Sequence, residues 1–234
     1  MTTSLLLVHA PLVGPSTWAA LAERAAARGH AVAVPDLTGV ATATPPRWRW
    51  FAEHAAGGAD AVPEPVVVIG HSGAGAYLPL IGAQLGAWPA ALVFVDAIVP
   101  PATGAHRTSP GLRSLLDERT VDGRLLPWLD WWPEDTVAEL LPDPADRALL
   151  AADLPRLPRD LYDEVVPVPD GWAADRCAYL QLSPAYDAEF QEAGARGWPR
   201  RRLAGTHLSI HTDAEVVLDA VVGLLGEVDD PGDA

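Results

Sequence analysis

The chain has 234 residues, 49% of them apolar and 20% charged, with 16 basic against 31 acidic side chains for a formal net charge of −15. That length suits one compact domain carrying an insertion; the apolar fraction argues against global disorder despite 23 prolines and 20 glycines, and the acidity disfavours non-specific binding to a polyanionic nucleic acid. The single cysteine, Cys177, excludes an intrachain disulfide and a cysteine-rich metal site.

Met1-Thr2-Thr3-Ser4 leads straight into Leu5-Leu6-Leu7-Val8, without a positive leader region or a small-residue cleavage site. No apolar run approaches the ~20 residues that cross a bilayer. A cytoplasmic protein without a membrane partner is expected. Leu5 to His9 reads as a buried strand, followed by a loop with Pro11, Gly14 and Pro15, and Trp18 to Arg28 as an Ala-rich helix. His30 to Val34 is a second strand and Pro35 to Gly39 a turn. Arg47 to Gly57 is a helix, Pro65 to Ile69 a strand, Ala74 to Leu85 a helix and Ala91 to Val95 a strand. Apolar strands alternating with helices predict an α/β fold with a mostly parallel sheet covered on both faces.

The rhythm breaks after Ile98. Residues 100–169 carry many prolines, charged helical fragments and Trp128, Trp131 and Trp132, and read as a helical insertion. It then resumes with a strand over Arg176 to Leu182, a helix over Ala188 to Arg196, a short strand over Arg200 to Leu203 and an amphipathic helix over Ala214 to Leu225. The core is therefore expected in residues 1–99 and 170–228. Residues from Glu227 onward, and 229–234 in particular, read as a flexible tail.

The sharpest motif is Gly70-His71-Ser72-Gly73-Ala74-Gly75. It follows a strand and opens a helix, the context of a nucleophile elbow that presents a serine at the top of a sheet. Gly70 relieves crowding at the turn, and Gly73 lets turn and helix approach the sheet. The base such a serine needs is expected to be His207, in Gly205-Thr206-His207-Leu208, with His211 as its competitor. Two acids remain open. Asp96 ends the strand Leu92-Val93-Phe94-Val95; Asp187 follows Ser183-Pro184-Ala185-Tyr186 and otherwise serves as a helix cap.

These segments, with Leu7-Val8-His9-Ala10-Pro11 and Val34-Pro35-Asp36-Leu37-Thr38-Gly39, resemble the α/β-hydrolase superfamily over essentially the whole chain. The nearest flavour is similar to the small plant-type esterase and hydroxynitrile lyase group and its bacterial relatives. The resemblance implies Ser72 as nucleophile, His207 as base, Gly73 as an oxyanion-hole amide and residues 100–169 as a lid. Some haloalkane dehalogenases place the acid as in Asp96-Ala97-Ile98-Val99-Pro100. The plant-type esterases place it in a Gly-x-x-Asp turn after the next strand, where this chain has Ser183-Pro184-Ala185-Tyr186. A second departure is Pro11, which has no N–H to offer at the other oxyanion-hole position, so that Leu12 is the substitute donor.

The resulting expectation is a serine carboxylesterase without metal or organic cofactor. Its substrate is a small apolar or aromatic ester or lactone, met by Tyr77, Trp128, Trp131 and Trp132. A lyase or cyclase on the same scaffold, and a catalytically weak ligand-binding protein, are the alternatives. The oligomeric state is open.

Overall fold

The computed structural model describes residues 3–85, 89–173 and 176–229. Six strands build the central sheet: β1 (Ser4–Val8), β2 (Ala31–Ala33), β3 (Val66–Ser72), β4 (Ala91–Ala97), β5 (Cys177–Gln181) and β6 (Arg200–Arg202). Their order is β6-β5-β4-β3-β1-β2, and every neighbouring pair is parallel. Successive side chains of a strand point to opposite faces, so apolar runs supply two cores at once. Leu5, Leu7, Val67, Ile69, Val93 and Val95 pack on one face. Leu6, Val8, Val66, Val68, Leu92 and Phe94 pack on the other.

The first face is covered by α1 (Ala19–Ala27) and α8 (Ala214–Asp229), whose Leu21, Ala25, Val217, Leu218, Val221 and Leu224 are buried there. Helix α8 runs past the expected end at Leu225, and Glu227 pairs with Arg201 at 2.8 Å, so helix and not tail continues through Glu227. Residues 230–234 of that tail lie outside the described residues. The second face is covered by α2 (Arg47–Gly57), α3 (Leu78–Gln84) and α7 (Asp187–Ala195).

Between Ser72 and α3 the chain forms a 3-10 turn, Gly73–Tyr77, where the sequence suggests unbroken helix. Pro79 sits in the first turn of α3, where its missing N–H costs nothing. Gly75 lies hard against β4: a Cβ there would stand 2.0 Å from the Ile98 carbonyl oxygen.

The segment between β4 and β5 carries α4 (Pro110–Glu118), α5 (Glu134–Leu140) and α6 (Pro144–Ala151). It also holds two small antiparallel ribbons, Ala105–His106 with Val166–Pro167 and Thr120–Val121 with Arg124–Leu125. Leu141 and Leu150 of the segment form a small apolar cluster with Leu208. Leu116, Leu125, Leu157, Leu161 and Val166 share one apolar cluster with Phe51 and Phe94. Carboxylates of the segment fasten it to the sheet-bearing part, Asp160 among them at 3.2 Å from Arg47 Nη1. Glu164 accepts from the Arg47 and Trp48 amides at 2.9 and 3.0 Å, at the open N-terminus of α2. Asp153 accepts from the Ser16 amide and hydroxyl at 2.9 and 2.8 Å. Asp146 meets His211 Nε2 at 3.0 Å.

The strand order reverses between β1 and β3, because β1 is followed outward by β2 and β3 by β4. The crevice outside the carboxyl ends of such a pair is where open α/β sheets bind ligands. Ser72 ends β3, and His9-Ala10-Pro11 follows β1, so both border that crevice.

The packing at Gly75 makes the fold sensitive to one methyl group. Gly75→Ala is expected to lower stability by about 3 kcal/mol, the upper end of overpacking costs. Gly57→Ala, where a Cβ meets nothing within 4 Å at the end of α2, is expected to raise it by about 0.5–1 kcal/mol. Urea unfolding midpoints of the two variants and the parent chain check both signs.

Candidate active site

Ser72 holds φ 58° and ψ −128°. A non-glycine residue rarely occupies this half of conformational space, and here the register of β3 against β4 shifts between His71 and Ser72. Ser72 is half-buried. The close backbone approach that lets the turn follow is made at Gly75 rather than at Gly73, where a Cβ would be 3.6 Å from Pro11 Cδ, an ordinary contact.

Asp96 also lies in the left-handed region, at φ 44°. Its carboxylate is fully buried and accepts from the Leu182 amide at 2.9 Å, the Ser183 amide at 2.9 Å, the Ser183 hydroxyl at 2.6 Å and His207 Nδ1 at 2.7 Å. Burial pushes its carboxyl toward the neutral form. The His207 hydrogen bond and charge, helped by the Ser183 hydroxyl and Leu182 amide, outweigh that and hold it below the usual carboxylate range. The pairing puts a proton on His207 Nδ1 and leaves Nε2 of the neutral ring as an acceptor.

Asp187, the other acid considered, is not brought to His207. It is exposed and accepts from Gln181 Nε2 at 2.6 Å and Arg202 Nη2 at 3.0 Å. Nor does it cap a helix: α7 starts on Asp187 itself, and its side chain makes no capping bond. His211, the other histidine considered, is buried against the inserted segment through Asp146.

His71 packs its ring 4.3 Å from that of His207, and its Nε2–H donates to the His207 carbonyl oxygen at 2.9 Å. Trp18 meets the His71 ring edge-on at 6.1 Å. Burial, and then the charge on His207, pull the His71 pKa from 6.5 to about 3 against the pull of Asp96, so it stays neutral. Its Nδ1 has no hydrogen-bond partner among the described residues.

The residue that sequence reasoning missed is Tyr186. Its hydroxyl is 3.1 Å from Ser72 Oγ, and its ring stacks on His207 at 5.3 Å with 10° between the planes. Among the described residues, this phenol and not His207 is the hydrogen-bond partner of the Ser72 hydroxyl. Burial raises the Tyr186 pKa above its usual value, aided by the charge of Asp96, and the Ser72 contact only partly offsets this. The signal was in the sequence: Tyr186 stands where the resemblance calls for a carboxylate.

The aromatic candidates separate. Trp128 reaches His207, at 6.2 Å between rings. Trp131 is buried inside the inserted segment, with its indole N–H on the Leu126 carbonyl oxygen at 2.8 Å. Trp132 is 39% exposed and touches Trp128 edge-on. Tyr77 is buried against Phe51 at 4.5 Å. Tyr162 feels both Tyr77 and Tyr186 electrostatically, and burial raises its pKa well above the usual value.

Pro11 is buried, and its Cδ faces Gly73. His9 fixes this loop: its Nε2 accepts from the Leu37 amide at 2.9 Å, and its Nδ1–H donates to the Ala10 carbonyl oxygen at 2.9 Å. The Val13 amide closes the turn onto Ala10 at 3.2 Å, and Leu12 packs half-buried against the core. No cluster of three or more His, Cys, Asp or Glu side chains suited to a metal ion occurs among the described residues. No helix among them is long and apolar enough to cross a membrane.

Among solved structures the chain is similar to an extracellular alpha/beta-hydrolase from a Paenibacillus species described as sharing structural and functional homology with tobacco salicylic acid binding protein 2. The TM-score is 0.73 at 15% identity, over 95% of this chain and 98% of that one. It is similar to polyneuridine aldehyde esterase with a TM-score of 0.70 at 17% identity, over 96% and 99% of the two chains. It is also similar to the pyrethroid hydrolase PytH, with a TM-score of 0.68 at 17% identity over 99% of both. No curated protein gives a significant sequence match. Identities this low carry the fold alone, but the family model for alpha/beta hydrolases matches residues 5–220. The chain belongs to the alpha/beta hydrolase family.

Proposed function

We propose that the protein is a serine carboxylesterase acting on a small apolar or aromatic ester or lactone. The observation that carries this reading is the fully buried Asp96 carboxylate, which holds His207 by Nδ1 at 2.7 Å beside the left-handed turn at Ser72. An imidazole fixed at Nδ1 and a serine hydroxyl on a strained strand-to-helix turn are the parts that acyl transfer needs.

In this mechanism the Ser72 hydroxyl turns from Tyr186 to His207 Nε2. Its oxygen attacks the carbonyl carbon as Nε2 takes the proton. The Gly73 amide faces the oxyanion. His207 then gives the proton to the leaving alcohol, and water repeats the cycle on the acyl-enzyme. Asp96 keeps the imidazole in one tautomer and offsets its charge. Residues 100–169 act as the lid over a core of residues 1–99 and 170–228, and Trp128 brings an apolar ring from the lid to the histidine. Among the described residues, the groups in hydrogen-bond or ring contact with Ser72 and His207 are Tyr186, Asp96, His71 and Trp128, none of them a cationic lysine or arginine, which suits an uncharged substrate. A lyase or cyclase reaction is the second reading, favoured by the missing N–H at Pro11.

Ser72→Ala is expected to abolish release of p-nitrophenol from a short-chain ester. Asp96→Asn is expected to lower kcat by about 10³–10⁴-fold, and Asp187→Asn to leave it within a few-fold. An unchanged rate in Ser72→Ala overturns the esterase reading. A loss in Asp187→Asn equal to that in Asp96→Asn overturns the assignment of the acid. Incorporation of ¹⁸O from labelled water into the acid product separates hydrolysis from the second reading.

The same geometry sets an acid limit on stability. His71 is held at about 3 in the fold against 6.5 in an ordinary environment, so as pH falls below about 6.5 the unfolded chain takes up a proton that the folded chain refuses. Each pH unit then costs about 1.4 kcal/mol until the folded group titrates. Asp96, depressed in the fold, acts in the same direction as pH falls through the carboxylate range. Urea midpoints between pH 7.5 and 4.5 are expected to fall with pH, and to fall less steeply in His71→Asn.

A further inference from the structure

We propose that the Tyr186 hydroxyl is the second hydrogen-bond donor to the oxyanion, in place of the backbone N–H that Pro11 lacks. The inference rests on the reading of Ser72 as nucleophile. It starts from a gap. Two donors normally meet the carbonyl oxygen as it gains charge, and each is worth about 10²–10³ in kcat. Gly73 supplies one amide. On the other side of the turn the chain presents Pro11, whose Cδ methylene occupies the direction an amide hydrogen would take and lies 3.6 Å from the point where a Gly73 Cβ would be. His9 holds that loop at both ring nitrogens, to the Ala10 carbonyl oxygen and the Leu37 amide.

Tyr186 fills the gap from the opposite strand end. Its oxygen is 3.1 Å from Ser72 Oγ. In the tetrahedral intermediate the oxyanion is bonded to the same carbon as Oγ, so a donor already at that distance from Oγ reaches the oxyanion by a small tilt of the ring. The ring is held for this. It stacks on His207, and the loop that carries it is anchored where the Ser183 amide and hydroxyl bind Asp96. The Tyr186 amide closes the turn onto the Ser183 carbonyl oxygen at 3.4 Å. Burial keeps the phenol protonated at neutral pH, and therefore a donor.

The step balances without Tyr186 losing its proton. The Ser72 Oγ–C bond forms, the Ser72 proton passes to His207 Nε2, and the C=O π pair moves to the carbonyl oxygen, where the Gly73 N–H and the Tyr186 O–H donate to it. On collapse the C=O bond re-forms, the C–O bond to the leaving group breaks, and the leaving oxygen takes the proton from His207. In the resting protein the same phenol partners the Ser72 hydroxyl. The opposing idea is that Tyr186 merely withholds that hydroxyl from His207.

Tyr186→Phe separates the two, because it keeps the stacked ring and removes only the hydroxyl. With a p-nitrophenyl ester, kcat is expected to fall by about 10²-fold with KM changed only a few-fold. Inhibition by an aryl trifluoromethyl ketone, which adds to serine as a hemiketal oxyanion, is expected to weaken by a similar factor. Pro11→Ala in the Tyr186→Phe background restores an N–H and is expected to recover at least several-fold of the lost rate. An equal or faster kcat in Tyr186→Phe, or an unchanged inhibition constant for the ketone, overturns the proposal. Loss of turnover in Ser72→Ala but not in Tyr186→Phe overturns this inference alone; loss in neither overturns the reading of Ser72 as well.

Discussion

The buried carboxylate of Asp96 is the constraint on which the site depends. An ionised group with no exposed surface is tolerated only when its lone pairs are filled. Asp96 fills them from two directions: three donors come from Leu182 and Ser183 beyond the end of β5, and one from His207 beyond β6. The charge thus binds together the ends of three neighbouring strands. It is also why the left-handed backbone at Asp96 is worth its strain, since that turn points the carboxylate across β5 rather than along its own strand. The Tyr179 hydroxyl braces the next residue, meeting the Ala97 amide at 3.1 Å and its carbonyl oxygen at 2.9 Å.

The net charge of −15 acquires a location in this structure. Several of the acids sit between the inserted segment and the rest of the chain, where Glu164, Asp153 and Asp146 accept from the start of α2, from Ser16 and from His211. These contacts are directional and lie around a shared apolar cluster. The insertion is held by hydrogen bonds at its margin and by burial at its centre. Among the described residues, the groups in hydrogen-bond or ring contact with Ser72 and His207 are phenol, imidazole and indole rings and the Asp96 carboxylate, whose lone pairs are already filled.

Much of this was legible in the residues. Continuous apolar runs marked the strands of the sheet, since both faces are covered and alternation is lost. Ser72 and His207 were marked by their place between strand and helix. What was not legible follows from long-range packing. Asp96 and Asp187 both follow strand ends, and only the fold shows that Asp187 turns outward to Gln181 and Arg202. Trp128, Trp131 and Trp132 look alike in sequence, but a 3-10 turn over Trp128–Trp131 breaks helical periodicity and sends each in a different direction. The ribbon at Thr120–Leu125 carries a local signal in Asp122-Gly123, whose positive φ values of 51° and 74° form its turn.

Tyr186 shows how these long-range choices interlock. The plant-type esterases that the chain resembles take their acid from the loop after β5. Here the carboxylate that meets His207 stands at the end of β4, and the loop after β5 supplies donors to it: Ser183 turns its amide and hydroxyl onto Asp96. The position three residues on is then released from contact with His207 Nδ1. A tyrosine placed there is long enough to pass over the face of the imidazole rather than meet its edge, as the 10° angle between the rings records. Its hydroxyl emerges on the far side of the ring, at Ser72. The Ser183 contacts to Asp96 and the phenol against the serine are thus two consequences of the path of one loop.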